Sequence, residues 1–232
     1  MFWDGGGDMK IFIDSANVKE IEKWVRFGIA DGVTTNPSIM LKDGIDDMEK
    51  GTKEIASILD GRPISVEVIT DNPEEMLNQA REFSSWAKNI VVKIPIINQF
   101  GEPCLEVIHT LENEGIKVNA TAALSFGQMA LSAKAGATYS SIFSGRVADE
   151  GGDPWELVSI SVNWLESWGY KTKIIVGSIR SVIDIQNAAI AGAHIVTIPP
   201  QFLNKWVDHK YSRDTVKQFM DDAKKAFKNF KK

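Results

Sequence analysis

The chain alternates eight times between a short β-rich run and a longer amphipathic stretch. The runs cover residues 10–14, 32–35, 64–69, 90–94, 116–120, 138–143, 173–177 and 194–198. Most are near-continuously apolar, which marks strands covered on both faces, as in a parallel sheet. Helices are predicted over about residues 18–27, 47–59, 105–114, 126–134, 182–191 and 200–206. Asp153-Pro154-Trp155-Glu156 and Asn72-Pro73-Glu74-Glu75 each read as a helix start, with an N-cap, an N1 proline and a glutamate at N3. Stop signals at Gly28, Gly61, Gly115, Gly136, Gly169 and Gly192 fall just before the next strand. Eight strand-then-helix units predict an α/β fold, a single (β/α)8 TIM barrel. The rival is an open doubly wound sheet. It is weakened because no G-x-G-x-x-G loop follows the first run.

The composition fits this reading. With 232 residues, 44% of them apolar, the chain can bury a core without a disulfide or metal staple. Cys104 is the sole cysteine, which excludes an intrachain disulfide and a cysteine-rich metal cluster. A net charge of −5 argues against binding nucleic acid through a basic face. The most apolar stretch, residues 90–97, is too short to cross a bilayer. Residues 1–8 have neither a basic start nor an apolar run, so they read as a disordered tail or cloning scar rather than a signal peptide. The expected setting is cytoplasmic. The barrel is expected over residues 9–232, with an extra C-terminal helix from about residue 212. Its Lys224, Lys225, Lys228, Lys231 and Lys232 complement the helix dipole.

In a barrel the chemistry sits at the C-terminal ends of the strands. Here those ends carry polar residues that a core would not choose. Asp14 ends the first run, and Thr34, Thr35 and Asn36 end the second. Glu67 lies in the third, Lys93 in the fourth, and Asn119 and Thr121 at the fifth. Ser141 and Phe143 end the sixth with Arg146 just beyond, Ser178 and Arg180 end the seventh, and the eighth offers only Thr197.

Lys93 sits among apolar neighbours in Val91-Val92-Lys93-Ile94-Pro95. Burial without a fixed counter-ion lowers a lysine pKa, and an unprotonated amine can attack a ketone to form a Schiff base. The competing reading is a lysine that snorkels to the rim or pairs with Asp14 or Glu67. Schiff-base chemistry needs proton shuttles, for which Asp14 and Glu67 are the candidates. Asn36, Asn119 and Ser141 suit sugar hydroxyls, or else satisfy backbone at the strand ends. Arg146, Ser178 and Arg180 suit an anionic substrate tail, because an arginine fork bonds two oxygens at once. The arginines' alternative is a surface ion pair. His109, His194 and His209 lack metal-ligand spacing, so no metal is assigned. Trp164 and Trp168, four apart on one helix, are expected in the core or at a subunit contact.

Several segments together resemble the transaldolase family, in its small-subunit branch that includes the fructose-6-phosphate aldolases. They are Phe12-Ile13-Asp14-Ser15-Ala16-Asn17, Asp31-Gly32-Val33-Thr34-Thr35-Asn36-Pro37-Ser38 and Val92-Lys93-Ile94-Pro95. Further matches are Ala133-Lys134-Ala135-Gly136-Ala137-Thr138-Tyr139, Phe143-Ser144-Gly145-Arg146 and Ser178-Ile179-Arg180. The resemblance implies a class I transaldolase without metal or cofactor. It would move a dihydroxyacetone unit from a ketose phosphate to an aldose phosphate, as in the pentose phosphate pathway. By the same resemblance Lys93 forms the Schiff base and Asp14 takes the proton from the hydroxyl at the cleaved bond. Glu67 with Thr121 handles water. Asn36, Thr35, Asn119 and Ser141 hold the three-carbon unit, Phe143 packs nearby, and Arg146, Ser178 and Arg180 bind the anion.

The aldolases of the branch typically carry glutamine where Glu67 stands and tyrosine where Phe143 stands, so these two residues favour transaldolase. This sequence departs from the family pattern at Ala122-Ala123-Leu124, Ser141-Ile142-Phe143, the loop 96–103 and the segment after Arg180. These changes surround the mouth and leave a sulfonated ketose (6-deoxy-6-sulfofructose) as a second substrate. A reading from another class is a non-catalytic barrel that binds a sugar phosphate. The branch also suggests a homo-oligomer in which the C-terminal helix reaches a neighbour, with Trp206, Phe219, Phe227 and Phe230 for apolar contact. The alternative is a helix that caps its own barrel.

Overall fold

The computed structural model describes residues 8–227. Most of the 1–8 tail, together with Lys228, Phe230, Lys231 and Lys232, lies outside the described residues. Eight parallel strands close into a barrel in chain order. They are β1 (Lys10–Asp14), β2 (Gly32–Thr34), β3 (Ile64–Glu67), β4 (Ile90–Pro95), β5 (Val118–Ala123), β6 (Tyr139–Phe143), β7 (Lys173–Gly177) and β8 (Ile195–Ile198). The helices are α1 (Val18–Arg26), α2 (Pro37–Lys42), α3 (Met48–Ile58), α4 (Pro73–Trp86), α5 (Leu105–Asn113), α6 (Phe126–Lys134), α7 (Ser144–Asp149), α8 (Pro154–Ser167), α9 (Val182–Ile190), α10 (Pro200–Val207) and α11 (Lys210–Ala226). Closure comes from β1 pairing with β8, with Phe12 opposite Thr197.

The strands read as apolar because both of their faces are buried, yet the two faces differ in kind. Ile90, Val92 and Ile94 of β4 join the core beneath the helices, as do Ile13, Val33, Val66, Val118, Ile142, Val176 and Val196 of the other strands. The alternate residues point into the barrel. Phe12, Tyr139, Ile175 and Ile195 plug its lower end. Two residues further along these same strands come Asp14, Ser141, Gly177 and Thr197. The inward face therefore changes from apolar to polar in one step, and the polar layer lies at the C-terminal ends.

Both predicted helix starts are present. Asp153 accepts from the amides of Trp155 and Glu156, and Asn72 from those of Glu74 and Glu75. The helix stops behave as expected at Gly115, whose φ of 81° is one that glycine adopts freely.

Five features differ from the sequence reading. The segment after Asn36 is a helix, α2, rather than a continuation of the strand end. A second short helix, α7, follows β6 directly. Strand β5 runs from Val118 to Ala123, with an irregularity between Ala120 and Ala123, so Thr121 lies inside it. The C-terminal helix begins at Lys210. The tryptophan pair also splits: Trp164 stacks on Tyr170 with centroids 4.6 Å apart, whereas Trp168 caps α8 and is 73% exposed.

Candidate active site

A cleft of about 440 Å³ opens at the C-terminal ends of the strands. Its floor is the inward polar layer. Lys93 of β4 lies beside Glu67 of β3 and Asn119 of β5 in register. The Lys93 side chain is only 5% exposed, and its Nζ is 2.8 Å from Glu67 Oε2. The same nitrogen donates to the Thr35 carbonyl at 3.0 Å. The lysine is thus buried with a counter-ion, which corrects the picture of an amine without a fixed partner. A carboxylate in contact can hold the ammonium and also receive its proton.

Asp14 faces this pair across the floor. Thr34 Oγ1 donates to Asp14 Oδ1 at 2.7 Å and lies 2.5 Å from Thr197 Oγ1. Burial pushes the Asp14 carboxyl above its ordinary range; the Thr34 hydrogen bond, Lys93 and Lys42 oppose this, and Asp43 adds to it. The segment after Asp14 is tied down by Asp43, which caps the end of α2 and accepts from Ser15 Oγ at 2.7 Å and Ala16 N at 2.8 Å. Behind Asp14 a smaller cleft of about 260 Å³ is lined by Glu20 and Lys42 among others.

Asn36 lines the main cleft while its Oδ1 caps α2, accepting from Ile39 N at 2.8 Å. Cap and site coincide in this residue, because its amide nitrogen stays available to a ligand. Ser141 Oγ donates to Asn119 Oδ1 at 2.7 Å, and Asn119 Nδ2 donates to Ser65 Oγ at 3.2 Å. Ser141 and Phe143 line the cleft. Asn119 and Thr121 are wholly buried beneath it. Thr121 Oγ1 is buried with no hydrogen-bond partner. Thr35 departs from its expected place: the alternation along β2 turns it away from the barrel, and its hydroxyl donates to the Ser65 carbonyl at 2.9 Å. It reaches the site only through the carbonyl that Lys93 contacts.

The cationic end is split. Arg146 and Ser178 line the cleft. Arg180 is not among the lining residues; both its terminal nitrogens donate to Asp149 at 2.5 Å. The alternative reading of a surface ion pair therefore describes Arg180 as it stands here. The Arg180 hydrogen bond holds the Asp149 carboxyl below its usual range, and Arg146, 3.9 Å away, adds to this. Ala122 and Ser178, with φ of 60° and 61°, both line the cleft, whereas the other left-handed non-glycine among the described residues, Asp60, lies in the loop before β3.

Sequence reasoning gave no role to Asp149 or to the Thr34–Thr197 contact. A threonine at a strand end carries no signal of its own, because strands favour threonine anyway. His194 is structural: Nδ1 accepts from the Ile174 amide at 3.1 Å, and burial, with Lys173 nearby, lowers its pKa to about 4. Among the described residues no cluster of histidine, cysteine or acidic side chains could hold a metal. No helix there is long and apolar enough to cross a membrane.

The sequence model of a family described as transaldolase/fructose-6-phosphate aldolase matches residues 11–232. A protein of Dehalococcoides mccartyi named "Probable transaldolase" is 38% identical over 220 residues, 95% of this chain and all of that one. A Clostridium botulinum protein of the same name is 43% identical over 219 residues, 94% of this chain and 98% of that one. Among solved structures, a thiamine phosphate pyrophosphorylase from Pyrococcus furiosus superposes with a TM-score of 0.57 at 12% identity. It matches 82% of this chain and 85% of that one. A mandelate oxidase gives a TM-score of 0.57 at 13% identity over 82% of this chain and 64% of that one. These two likenesses establish the barrel alone.

Proposed function

This chain belongs to the transaldolase/fructose-6-phosphate aldolase family, and on that premise we propose that it is a class I transaldolase working through a Schiff base on Lys93. The observation that carries the proposal is the Lys93 amine, buried in the barrel mouth 2.8 Å from Glu67 and in one cleft with Asp14. A nucleophile, its proton acceptor and a second carboxyl thus share a single cleft.

The reaction begins when Glu67 takes a proton from Lys93. The free amine attacks the ketose carbonyl, and the carbinolamine loses its hydroxyl as water by taking the proton back from Glu67. Thr121 supports this step, since its buried hydroxyl has no protein partner and stands in the strand beside β4. Asp14 then accepts the proton of the substrate hydroxyl as the neighbouring carbon–carbon bond breaks. The bonding electrons move toward the protonated imine, and an aldose phosphate leaves. The retained three-carbon enamine attacks an acceptor aldose, and Asp14 returns its proton. Hydrolysis by the reverse of imine formation frees the lysine. The Ser141–Asn119 pair and Asn36 hold the three-carbon hydroxyls, with Phe143 as an apolar wall, while Arg146 and Ser178 receive the phosphate and Arg180 joins them by exchanging its Asp149 partner for the anion. Thr35 contributes its carbonyl to Lys93 rather than a hydroxyl to substrate.

Glu67 and Phe143 favour transfer over an aldolase that releases free dihydroxyacetone. The alternative donor is a sulfonated ketose, favoured by a cationic end in which Asp149 already neutralises one arginine. The assembly follows the branch, a homo-oligomer joined through α11, which has no buried residue of its own.

Incubation with fructose 6-phosphate without acceptor, followed by borohydride and peptide mapping, tests the mechanism. A near-stoichiometric three-carbon adduct on Lys93 is expected. Lys93→Ala should trap nothing and lose at least about 10³-fold in turnover with its fold intact. Turnover retained by this variant would sink the mechanism, and binding without any adduct would favour a barrel that only binds sugar phosphates.

A further inference from the structure

We infer that Thr197 is a positioning residue for Asp14, acting through the Thr34 hydroxyl to hold the carboxylate ready to accept a proton. The inference rests on the role proposed for Asp14. Thr197 is the residue of β8 that faces the polar floor, and it is 5% exposed. Its Oγ1 stands 2.5 Å from Thr34 Oγ1, which in turn stands 2.7 Å from Asp14 Oδ1.

The direction of this chain follows from counting protons. An ionised carboxylate only accepts, and a hydroxyl has one hydrogen to give. Thr34 commits its hydrogen to Asp14. The contact between the two threonines then requires that Thr197 donate. A hydroxyl that accepts one hydrogen bond is a better donor in the next, so Thr197 strengthens the bond that favours ionised Asp14. Once Asp14 holds the substrate's proton the order can reverse by hydroxyl rotation alone: Asp14 donates to Thr34, and Thr34 to Thr197. No proton leaves the chain in that reversal.

Ordinary strand packing does not account for the contact. An oxygen–oxygen approach of 2.5 Å is a hydrogen bond, and no methyl could replace either atom at that distance. The Thr197 methyl has its own place, 3.4 Å from where a β-carbon on Gly177 would stand. The charged groups around Asp14 are Lys93 from β4, Glu67 from β3 bonded to that lysine, Lys42 and Asp43 at the end of α2, and Glu20 of α1 in the cleft behind. None of them hydrogen-bonds or ion-pairs with Thr197, whose side-chain partner is Thr34, so its replacement leaves their charges in place.

The test is the pH profile of dihydroxyacetone transfer from fructose 6-phosphate to an aldose phosphate. Thr197→Ala removes the donor and puts no methyl where the hydroxyl stands. Its acidic limb in kcat/KM should move to higher pH by about half a unit to one unit, with KM little changed. Thr197→Ser restores the hydroxyl and should restore the limb. Thr197→Val carries the same expectation should the alanine variant fold poorly, because its methyl also loosens Thr34 from Asp14, and thermal melts report on folding. A limb that stays in place in the folded valine or alanine variant, or one that moves as far with serine, overturns the inference alone. A wild-type protein that traps no borohydride adduct on Lys93 overturns it together with the proposed reaction.

Discussion

Asp14 shows how a single residue serves chemistry against stability. Its carboxyl is raised chiefly by burial, so ionising it costs more in the folded protein than in the unfolded chain. For an acid whose folded pKa lies above its unfolded value, the stabilising contribution is complete at low pH and is lost as pH rises through the folded pKa. At neutral pH the charge is therefore a net cost, even with Thr34, Lys93 and Lys42 favouring it. Asp14→Asn keeps an oxygen for Thr34 to bond but carries no charge. It should abolish transfer while raising the melting temperature at pH 7, by about 2–4 °C for each kcal/mol released. The gain should vanish in acid, where the native carboxyl is protonated too. A variant that melts below the native protein at pH 7 would contradict the assignment. Lys93 and Asp14 were legible in the sequence because a charge inside an apolar strand costs too much to be incidental. Thr35 misleads because its role is carried over by resemblance, whereas the two-residue period of the strand turns its side chain outward. Thr197 stayed silent because a single hydroxyl in a strand is unremarkable until its distance to another is known.

At the scale of elements, the strands and long helices were legible and the two short helices were not. Six residues are too few to show a helical period, and the Asn36-Pro37 start of α2 was hidden by reading Asn36 only as a strand end. These two short helices carry the mouth. α7 leads Arg146 out of β6 and lies close against the end of β7. Gly145 makes that approach possible: a β-carbon there would stand 2.5 Å from the Ser178 carbonyl oxygen and 2.6 Å from Arg180 Nε. The backbone oxygen cannot swing aside as a side chain could, so Gly145→Ala must push α7 and β7 apart. Overpacking of this kind costs about 1–3 kcal/mol of stability. The displaced groups are those assigned to the anionic tail. KM for fructose 6-phosphate should therefore rise about tenfold or more, while use of an unphosphorylated donor such as fructose changes little. Equal losses on both donor types would show that α7 supports the floor rather than the tail site.

For the whole molecule, closure of the barrel accounts for eight strands and for every helix that packs on them, but not for α11. None of its residues is buried. Val216, Phe219, Met220 and Phe227 recur at helical spacing on one stripe, and the named members are 57–65% exposed. Exposed apolar side chains are common singly, but a continuous stripe along a seventeen-residue helix marks a surface meant to be covered. The helix does not cap its own barrel, so the proposed homo-oligomer would place a neighbouring copy on this stripe. A stable contact needs about 800 Å² from each partner, within reach of a helix this long together with the exposed Trp206 edge of α10. Sedimentation of the intact protein should give a mass well above one chain. Phe219→Asp combined with Met220→Asp should shift it toward the monomer while the barrel's far-UV spectrum and Lys93 adduct persist. A native protein that sediments as a monomer at micromolar concentration would remove the oligomer from the proposal. It would leave the chemistry untouched, because every group assigned to the reaction comes from one chain.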